Sequence, residues 1–169
     1  MDMNQQFDKV VESLGEQCLA HGWMLVCAES CTGGLLSSRL TDMPGSSAWF
    51  ERGYVTYSNA AKVELLQVSV DTLERFGAVS EETAMEMAAG ALANAQDAHF
   101  AVSTTGIAGP GGATSGKPVG MVCFGFAHRA GEGISTRALT HLFDGNRAQI
   151  RSKAVEFALQ KLHGFISQR

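Results

Sequence analysis

The order of strand and helix patterns along the chain is the feature that most constrains the fold. Apolar residues at helical spacing alternate with short apolar runs typical of buried strands, and two strand patterns then follow each other near the C-terminus. Alternating strands and helices build a parallel sheet covered on both faces, whereas consecutive strands add antiparallel pairing. The sequence therefore predicts an α/β fold, a three-layer α/β/α sandwich with a mixed, mostly parallel sheet.

The predicted elements can be placed by number. In order they are a helix over 5–21, a strand over 23–28, a helix over 35–40, a strand over 54–58, helices beginning after an Asn59 cap and a Ser80 cap, strands over 100–104, 119–127 and 135–143, and a helix over 147–165. The helix after Ser80 carries a stripe of small residues that suits a core or a subunit interface equally. The stripe consists of Ala84, Met87, Ala88, Ala91, Leu92 and Ala95. We expect a homo-oligomer.

Composition limits the class of protein. A chain of 169 residues fits one domain spanning 1–169, and 45% hydrophobic with 18% charged residues is enough for a core and too apolar for disorder. The 13 basic against 17 acidic residues give a net charge of −4, which disfavours nucleic acid as a partner. No apolar run approaches the ~20 residues of a membrane span, and the polar N-terminus is unlike a secretory signal. We therefore expect a cytoplasmic protein that binds neither nucleic acid nor membrane.

Cysteine and histidine spacing indicates no metal site. The four cysteines form no C-x-x-C pair, and the five histidines are scattered along the chain. Without a secretion signal, buried and reduced thiols are the expected state of these cysteines.

The segment from Glu29 to Gly34 lies between a predicted strand and a predicted helix. In open α/β sheets ligands bind beyond the carboxyl ends of strands, so Ser30 is expected in the pocket, with the helix N-terminus favouring negative charge there. Spacing alone favours a phosphate-binding or structural turn over a nucleophilic Ser30. Cys31 is a rival nucleophile, because a helix N-terminus lowers the pKa of a thiol. The residues assigned to substrate binding in this segment are Cys31, Thr32, Gly33 and Gly34.

Lys62 occupies the first turn of the helix that Asn59 is predicted to cap. A cation in this position opposes the helix dipole. One interpretation, which the sequence alone favours, is a solvated lysine whose stem covers apolar surface. The other is a general base for a serine, which requires burial to lower its reference pKa of ~10.4. Tyr57 precedes it at a strand end and could orient or relay a proton.

Six of the 19 glycines fall between Gly106 and Gly120. Within this stretch, residues 111–117 match the G-x-x-x-x-G-K core of a P-loop, but Pro118 stands where a Ser or Thr and a helix must begin. We therefore exclude a nucleoside-triphosphatase. The strand end at Thr105 and Gly106 remains suited to hold an oxyanion or a phosphate through backbone N–H groups. Residues 113–117 are equally consistent with a mobile surface loop.

Arg147 and Arg151 are four residues apart in the first two turns of the last predicted helix. Cations at this end of a helix are unfavourable unless an anion binds there. A bound anion and an ordinary surface pair with Asp144 as partner remain equal alternatives.

Four segments taken together resemble the CinA C-terminal family, the stand-alone nicotinamide-nucleotide amidases. They are residues 28–34, residues 55–59 with Lys62, residues 106–110 and residues 117–120. The resemblance implies hydrolysis of the carboxamide of nicotinamide mononucleotide to nicotinate mononucleotide and ammonia, a step of pyridine-nucleotide recycling that needs no cofactor and no metal. Longer members carry an additional N-terminal domain, for which 169 residues leave no space.

The resemblance also implies roles for individual residues. Ser30 is the implied nucleophile, with Lys62 and Tyr57 activating it and shuttling the proton. Thr105 and Gly106 are implied to line the site, although relatives commonly have serine where this chain has Thr105, whose methyl group narrows the pocket.

Two further assignments and two rival functions follow. From helix position, Arg147 and Arg151 are expected to hold the substrate phosphate, and the tetrahedral oxyanion is expected at the helix start after Ser30 or at residues 105–106. One rival is a non-catalytic pyridine-nucleotide-binding module with Ser30 as a mere ligand. The other is a partner-binding protein in DNA uptake or repair, suggested only by the family's historical name, competence-induced.

Overall fold

The computed structural model describes the backbone of residues 3–169 and the side chains of residues 7–169; residues 1 and 2 of the predicted domain lie outside the described residues. The elements, in chain order, are α1 (Met3–His21), β1 (Leu25–Glu29), α2 (Leu35–Thr41), a 3-10 turn (Ser46–Ala48), β2 (Phe50–Val55), α3 (Asn59–Leu66), α4 (Val70–Phe76), α5 (Glu81–Ala93), β3 (Phe100–Gly106), β4 (Met121–Ala130), β5 (Gly133–Leu142) and α6 (Arg147–Ser167).

The five strands form one mixed sheet in the order β2-β1-β3-β4-β5. β1 pairs in parallel with β2 and β3, whereas β4 runs antiparallel to both β3 and β5. Four of the five strands therefore run in one direction, and the predicted mixed, mostly parallel sheet is confirmed. The carboxyl ends of β1, β2 and β3 meet at one edge of the sheet, which is where ligands bind in folds of this kind.

Alternation along β1 divides the core into the two interfaces of a three-layer sandwich. Leu25 and Cys27 point to the face covered by α1, α2 and α6, whereas Val26 and Ala28 point to the face covered by α5. All four side chains are fully buried. Burying a large apolar side chain contributes about 1.5–3 kcal/mol, so this interior strand stabilises both interfaces. The predicted α/β/α architecture is confirmed.

The small-residue stripe of α5 belongs to the core. The side chains of Ala84, Met87, Ala88, Ala91, Leu92 and Ala95 are all buried, five of them in one cluster with residues of β1, β3 and β4. Their small size lets α5 lie close to the sheet, where the carbonyl of Ala84 accepts a hydrogen bond from Ser103 Oγ at 2.6 Å. Of the two roles left open for the stripe, packing inside the molecule is the one observed.

The elements between residues 50 and 76 depart most from the prediction. β2 spans Phe50–Val55 rather than 54–58, and α4 was not predicted at all. The cap of α3 is Ser58 rather than Asn59, since Ser58 has extended backbone angles and its Oγ accepts the Ala61 N–H at 3.0 Å. The cap of α5 is Ser80, as predicted.

None of the helices among the described residues is long and apolar enough to cross a membrane.

Candidate active site

A cavity of about 310 Å³ opens at the carboxyl edge of the sheet. Its volume lies within the ~300–1,000 Å³ typical of small-molecule sites. The lining residues are Ser30, Cys31, Tyr57, Asn59, Lys62, Ala78, Val79, Thr105, Gly106, Ile107, Ala108, Gly109, Gly111, Gly112 and Arg147. The structure thus brings together residues from three of the four segments that carry the resemblance, and it adds Arg147; residues 117–120 do not line the cavity.

Ser30 directly follows β1, an interior strand of the sheet. Its N–H donates to the carbonyl of Thr104 at 2.9 Å, which continues the parallel pairing of β1 and β3 by one residue beyond β1. The chain then leaves the sheet through the turn before α2. Ser30 is 8% exposed, so its hydroxyl lies at the floor of the cavity with access from one side.

Lys62 is a buried lysine, with 1% of its surface exposed, and it is not solvated as the sequence alone favoured. Its Nζ lies 3.0 Å from Ser30 Oγ, 3.0 Å from the carbonyl oxygen of Thr56 and 3.2 Å from that of Tyr57. Burial lowers the pKa of the amine, because desolvation disfavours the ammonium form. Proximity and a lowered pKa are both properties that a general base for Ser30 requires.

Tyr57 contributes to this arrangement through its backbone. Its carbonyl oxygen accepts from Lys62 Nζ and, at 3.4 Å, from Ser30 Oγ. Its side chain is 62% exposed, and the phenol oxygen accepts from Arg147 Nη2 at 3.2 Å. The phenol therefore stands at the rim, while Lys62 reaches Ser30 directly.

Cys31 also lines the cavity, but its thiol is a poor nucleophile. Burial raises the pKa of this thiol to about 12, outweighing the opposing effects of Arg151 and Lys62. The thiolate is the reactive form of cysteine, and it is scarce at neutral pH with such a pKa. The predicted lowering of the Cys31 pKa is not observed, because burial raises it. The start of α2 is in addition occupied by another charged group.

That group is the carboxylate of Glu29, which the sequence analysis left without a role. The fully buried carboxylate accepts the backbone N–H groups of Gly34, Leu36 and Ser37. It also accepts the hydroxyls of Thr32 and Ser37, each at 2.7 Å. An acidic residue closing an apolar strand just before a helix was the available signal, since a carboxylate there can satisfy the free amides of the first turn.

Thr32, Gly33 and Gly34 consequently hold the turn and do not line the cavity. The hydroxyl of Thr32 bridges Glu29 and Thr104, with 2.7 Å to each. Gly33 and Gly34 adopt positive φ angles of 56° and 101°, which only glycine takes up readily. Their assignment to substrate binding is not supported by this geometry.

Thr105 and Gly106 line the cavity beside Ser30. The Thr105 hydroxyl donates to the carbonyl of Ala78 at 2.7 Å and so anchors the connection between α4 and α5. A Cβ on Gly106 would lie 2.7 Å from the carbonyl oxygen of Met121, too close for any side chain. The glycine therefore lets β3 pair closely with β4 beside the cavity.

The structure separates the two arginines. Arg147 lines the cavity and donates to the carbonyl of Gly109 at 2.7 Å. Arg151 lies outside it, where Nε and Nη2 donate to the carbonyls of Cys31 and Thr32, each at 3.1 Å. Within the described residues neither arginine forms an ion pair with Asp144.

The charge of the lining is one-sided. Among the lining residues that the structure describes, Lys62 and Arg147 are basic and none is acidic.

Across residues 7–169, no group of three or more His, Cys, Asp or Glu side chains is placed to hold a metal ion. A P-loop is absent, because strand β4 begins at Met121 where that motif requires a helix. Residues 113–116 are exposed, with a β-bridge joining Thr114 and Lys117.

The fold and the site define an α/β sandwich with a buried serine–lysine pair at the sheet edge. The model of the CinA C-terminal domain matches residues 7–166, and the chain belongs to that family. The nicotinamide-nucleotide amidohydrolase PncC of Enterobacter agglomerans is 53% identical over 147 residues, covering 87% of each chain. The protein of the same name from Escherichia coli K12 is 50% identical over 151 residues, covering 89% of each.

Solved structures show the same fold. The competence damage-inducible protein A from Klebsiella pneumoniae superposes with a TM-score of 0.89 at 35% identity, covering 95% of this chain and 97% of that one. The competence/damage inducible protein CihA from Agrobacterium tumefaciens gives a TM-score of 0.84 at 43% identity, covering 92% and 93%.

Proposed function

We propose that this protein is an amidohydrolase that converts nicotinamide mononucleotide to nicotinate mononucleotide and ammonia. The observation that carries the proposal is the 3.0 Å contact between Lys62 Nζ and Ser30 Oγ in a cavity with two basic side chains. The names of relatives at 50% and 53% identity, which match nearly their whole length, support the same substrate class.

The first chemical step is attack of Ser30 Oγ on the carboxamide carbon. A neutral amine has two N–H donors and one lone pair. In the structure Lys62 Nζ donates to Ser30 Oγ and to the carbonyls of Thr56 and Tyr57, while the Ser30 hydroxyl donates to the Tyr57 carbonyl. In the neutral amine the two carbonyls keep the two N–H donors, so the lone pair is left for the Ser30 hydroxyl, whose O–H turns from Tyr57 to Lys62. Lys62 therefore accepts the proton directly, and the phenol of Tyr57 is not required as a relay.

The oxyanion of the tetrahedral intermediate is best served by the N–H of Gly106. Residues two apart on a strand direct their backbone groups to the same edge, and the carbonyl of Thr104 faces Ser30. The N–H of Gly106 therefore faces Ser30 as well, whereas the N–H of Ile107 donates to Met121 on the β4 side. The start of α2, the other expected donor, is saturated by Glu29. One such donor is worth ~3–4 kcal/mol of the barrier.

Collapse of the intermediate releases ammonia. The protonated Lys62 gives its proton to the departing nitrogen, and the nicotinoyl group remains esterified to Ser30. Water then attacks the ester carbon with Lys62 again accepting the proton, and nicotinate mononucleotide leaves as Ser30 recovers its hydrogen.

Arg147 is proposed to bind the phosphate, as the basic residue at the cavity rim. We predict that Arg147→Ala raises KM for nicotinamide mononucleotide roughly 10–100-fold, the equivalent of a lost charge-assisted hydrogen bond. KM for nicotinamide riboside, which lacks the phosphate, should change little. Steady-state kinetics with both substrates checks this, and an equal loss for both would assign Arg147 to shaping the cavity instead.

The pH profile tests the state of Lys62. Only the neutral amine accepts a proton, and burial lowers its pKa, so kcat/KM should rise with pH along a single limb. We predict that this limb levels off below the ordinary lysine pKa of ~10.4. Initial rates between about pH 6 and pH 10 measure it. A limb at the ordinary lysine value would contradict a desolvated general base.

An ammonia assay across nicotinamide, its riboside, its mononucleotide and the dinucleotide tests the function. We expect the highest kcat/KM with the mononucleotide. Tight binding of the mononucleotide without ammonia release would instead indicate a non-catalytic nucleotide-binding module. Salt-dependent binding to DNA would favour the uptake or repair role.

The remaining expectations stand as proposals beside the function. We propose one domain over residues 1–169, cytoplasmic, homo-oligomeric and without nucleic-acid partners. The family match over residues 7–166 and the net charge of −4 support the first and last of these.

A further inference from the structure

The turn that follows Ser30 is held by two charged side chains of opposite sign. On one side, the carboxylate of Glu29 accepts five hydrogen bonds, from the Thr32 hydroxyl and from donors of residues 34–37. These include the backbone N–H groups at the start of α2. The carboxylate is fully buried, so the turn is attached to it without competition from solvent.

On the other side, the guanidinium of Arg151 donates to the carbonyls of Cys31 and Thr32, the two residues directly after Ser30. Arg151 comes from α6, so it links the turn to a different helix. Both donors lie at 3.1 Å, in the two-pronged geometry that a guanidinium offers and an ammonium does not. The Glu29 carboxylate thus accepts hydrogen bonds from N–H and O–H groups of the turn, and the Arg151 guanidinium donates hydrogen bonds to its carbonyl groups.

We propose that Glu29 and Arg151 are positioning residues that fix Ser30 Oγ against Lys62 and the cavity. The inference rests on the proposed function and assigns Arg151 to the nucleophile turn rather than to the substrate phosphate. Two of the three guanidinium nitrogens of Arg151, Nε and Nη2, are engaged with Cys31 and Thr32, and first-turn amides of α2 are engaged with Glu29.

The consequence for catalysis is a loss of rate rather than of binding. The backbone N–H of Ser30 is hydrogen-bonded to the sheet through the carbonyl of Thr104. The position of the chain after Ser30 depends on the turn. A misplacement of about 1 Å at a reacting atom costs on the order of 10²-fold in rate. Substrate binding depends on the cavity walls and Arg147. Through the hydrogen bonds described, Arg151 contacts the lining at the backbone carbonyl of Cys31, and the Glu29 carboxylate contacts none of the lining residues.

The chain offers a matched control for each variant. Glu86 also caps a helix, with its carboxylate accepting the Ser69 N–H and the Thr72 hydroxyl at the start of α4. Arg129 also donates to main-chain carbonyls, those of Leu92, Ala95 and Ala98. Neither residue lines the cavity. Glu86→Gln and Arg129→Lys therefore make the same chemical changes away from Ser30.

The test compares Glu29→Gln and Arg151→Lys with these controls, using nicotinamide mononucleotide and nicotinamide riboside. We expect kcat to fall about 10–100-fold in Glu29→Gln and Arg151→Lys, equally for both substrates, with KM within about twofold. The controls Glu86→Gln and Arg129→Lys should keep the wild-type kcat, even if their melting temperatures fall as far as those of Glu29→Gln and Arg151→Lys. Should Glu29→Gln fail to fold, Thr32→Val is used in its place. It removes the hydrogen bond from the Thr32 hydroxyl to the Glu29 carboxylate and leaves the four bonds of Glu29 to residues 34–37.

Two kinetic results would overturn the proposal. A rise in KM for the mononucleotide but not the riboside in Arg151→Lys would place Arg151 on the phosphate. Unchanged kcat in Glu29→Gln or its Thr32→Val substitute would show that the turn does not need the carboxylate.

Hydrogen exchange provides a readout independent of turnover. If the wild-type protein releases no ammonia, the proposed function fails, and amide exchange in residues 31–37 still tests the holding of the turn. We expect faster exchange confined to this segment in Glu29→Gln and Arg151→Lys and absent from the controls. Unchanged exchange in this segment would refute the role of both residues.

Discussion

Replacing Ser30 with alanine is expected to reduce the turnover of nicotinamide mononucleotide by about 10⁵–10⁶-fold, the scale of loss when a hydrolase loses its nucleophile. The hydroxyl lies 3.0 Å from Lys62 Nζ, within reach for proton transfer. Binding should persist, because the phosphate partner Arg147 and the cavity walls are untouched. Ammonia release measures the first effect, and calorimetric titration with the mononucleotide measures the second.

A control and a contrary outcome complete this test. Ser135→Ala removes an exposed hydroxyl from β5 and should leave turnover unchanged. If Ser30→Ala kept a near-normal rate, the nucleophile would be Cys31 or a water activated by Lys62. Loss of the residual rate in Ser30→Ala/Cys31→Ala would then identify the thiol, despite a pKa raised to about 12 by burial.

Replacing Lys62 with methionine is expected to reduce kcat on a comparable scale, about 10⁴-fold or more, at every pH. Methionine keeps the volume of the buried stem but cannot accept the Ser30 proton or return it to the leaving nitrogen. Lys62→Arg should be equally inactive, because a guanidinium stays protonated. Steady-state kinetics with circular dichroism of both variants separates loss of the base from loss of the fold.

Nucleophile and base act as one unit, so their losses should not add. The double variant Ser30→Ala/Lys62→Met is expected to be no slower than the slower single variant. Lys153→Met is the control, since this exposed lysine also donates to a main-chain carbonyl, that of Asp144. Fully multiplicative losses would indicate that Ser30 and Lys62 contribute to separate steps.

The parts of the fold that could be predicted from the sequence are those with a clear local pattern of apolar residues. The stripe on α5 and the apolar run of β1 needed only periodicity and hydrophobic burial. β2 was misplaced because its observed residues 50–55 include charged and glycine positions that suit an edge strand and weaken the strand pattern. α4 was missed because seven residues are too few for a clear helical period.

For the site, the sequence predicted which segments contribute residues but not which of their charged side chains are buried. Three of the four segments that carry the resemblance line the cavity, yet the sequence alone favoured a solvated Lys62. The amine is buried against Ser30 and the carbonyls of Thr56 and Tyr57, and its contact with Ser30 joins residues 32 positions apart in the chain. The sequence also did not distinguish Arg147 from Arg151, which lie four residues apart on α6. In the structure Arg147 lines the cavity, whereas Arg151 binds the segment that follows Ser30.

By itself the sequence determined the order of strands and helices and the chemical groups available at the strand ends, because periodicity and turn chemistry are local. Tertiary structure alone decided which charges are buried and what each one faces. It removed Lys62 from water beside Ser30, and it brought Arg151 of α6 to the turn that follows Ser30. Electrostatic strength depends on burial and distance, and both arise only when segments far apart in the chain pack together.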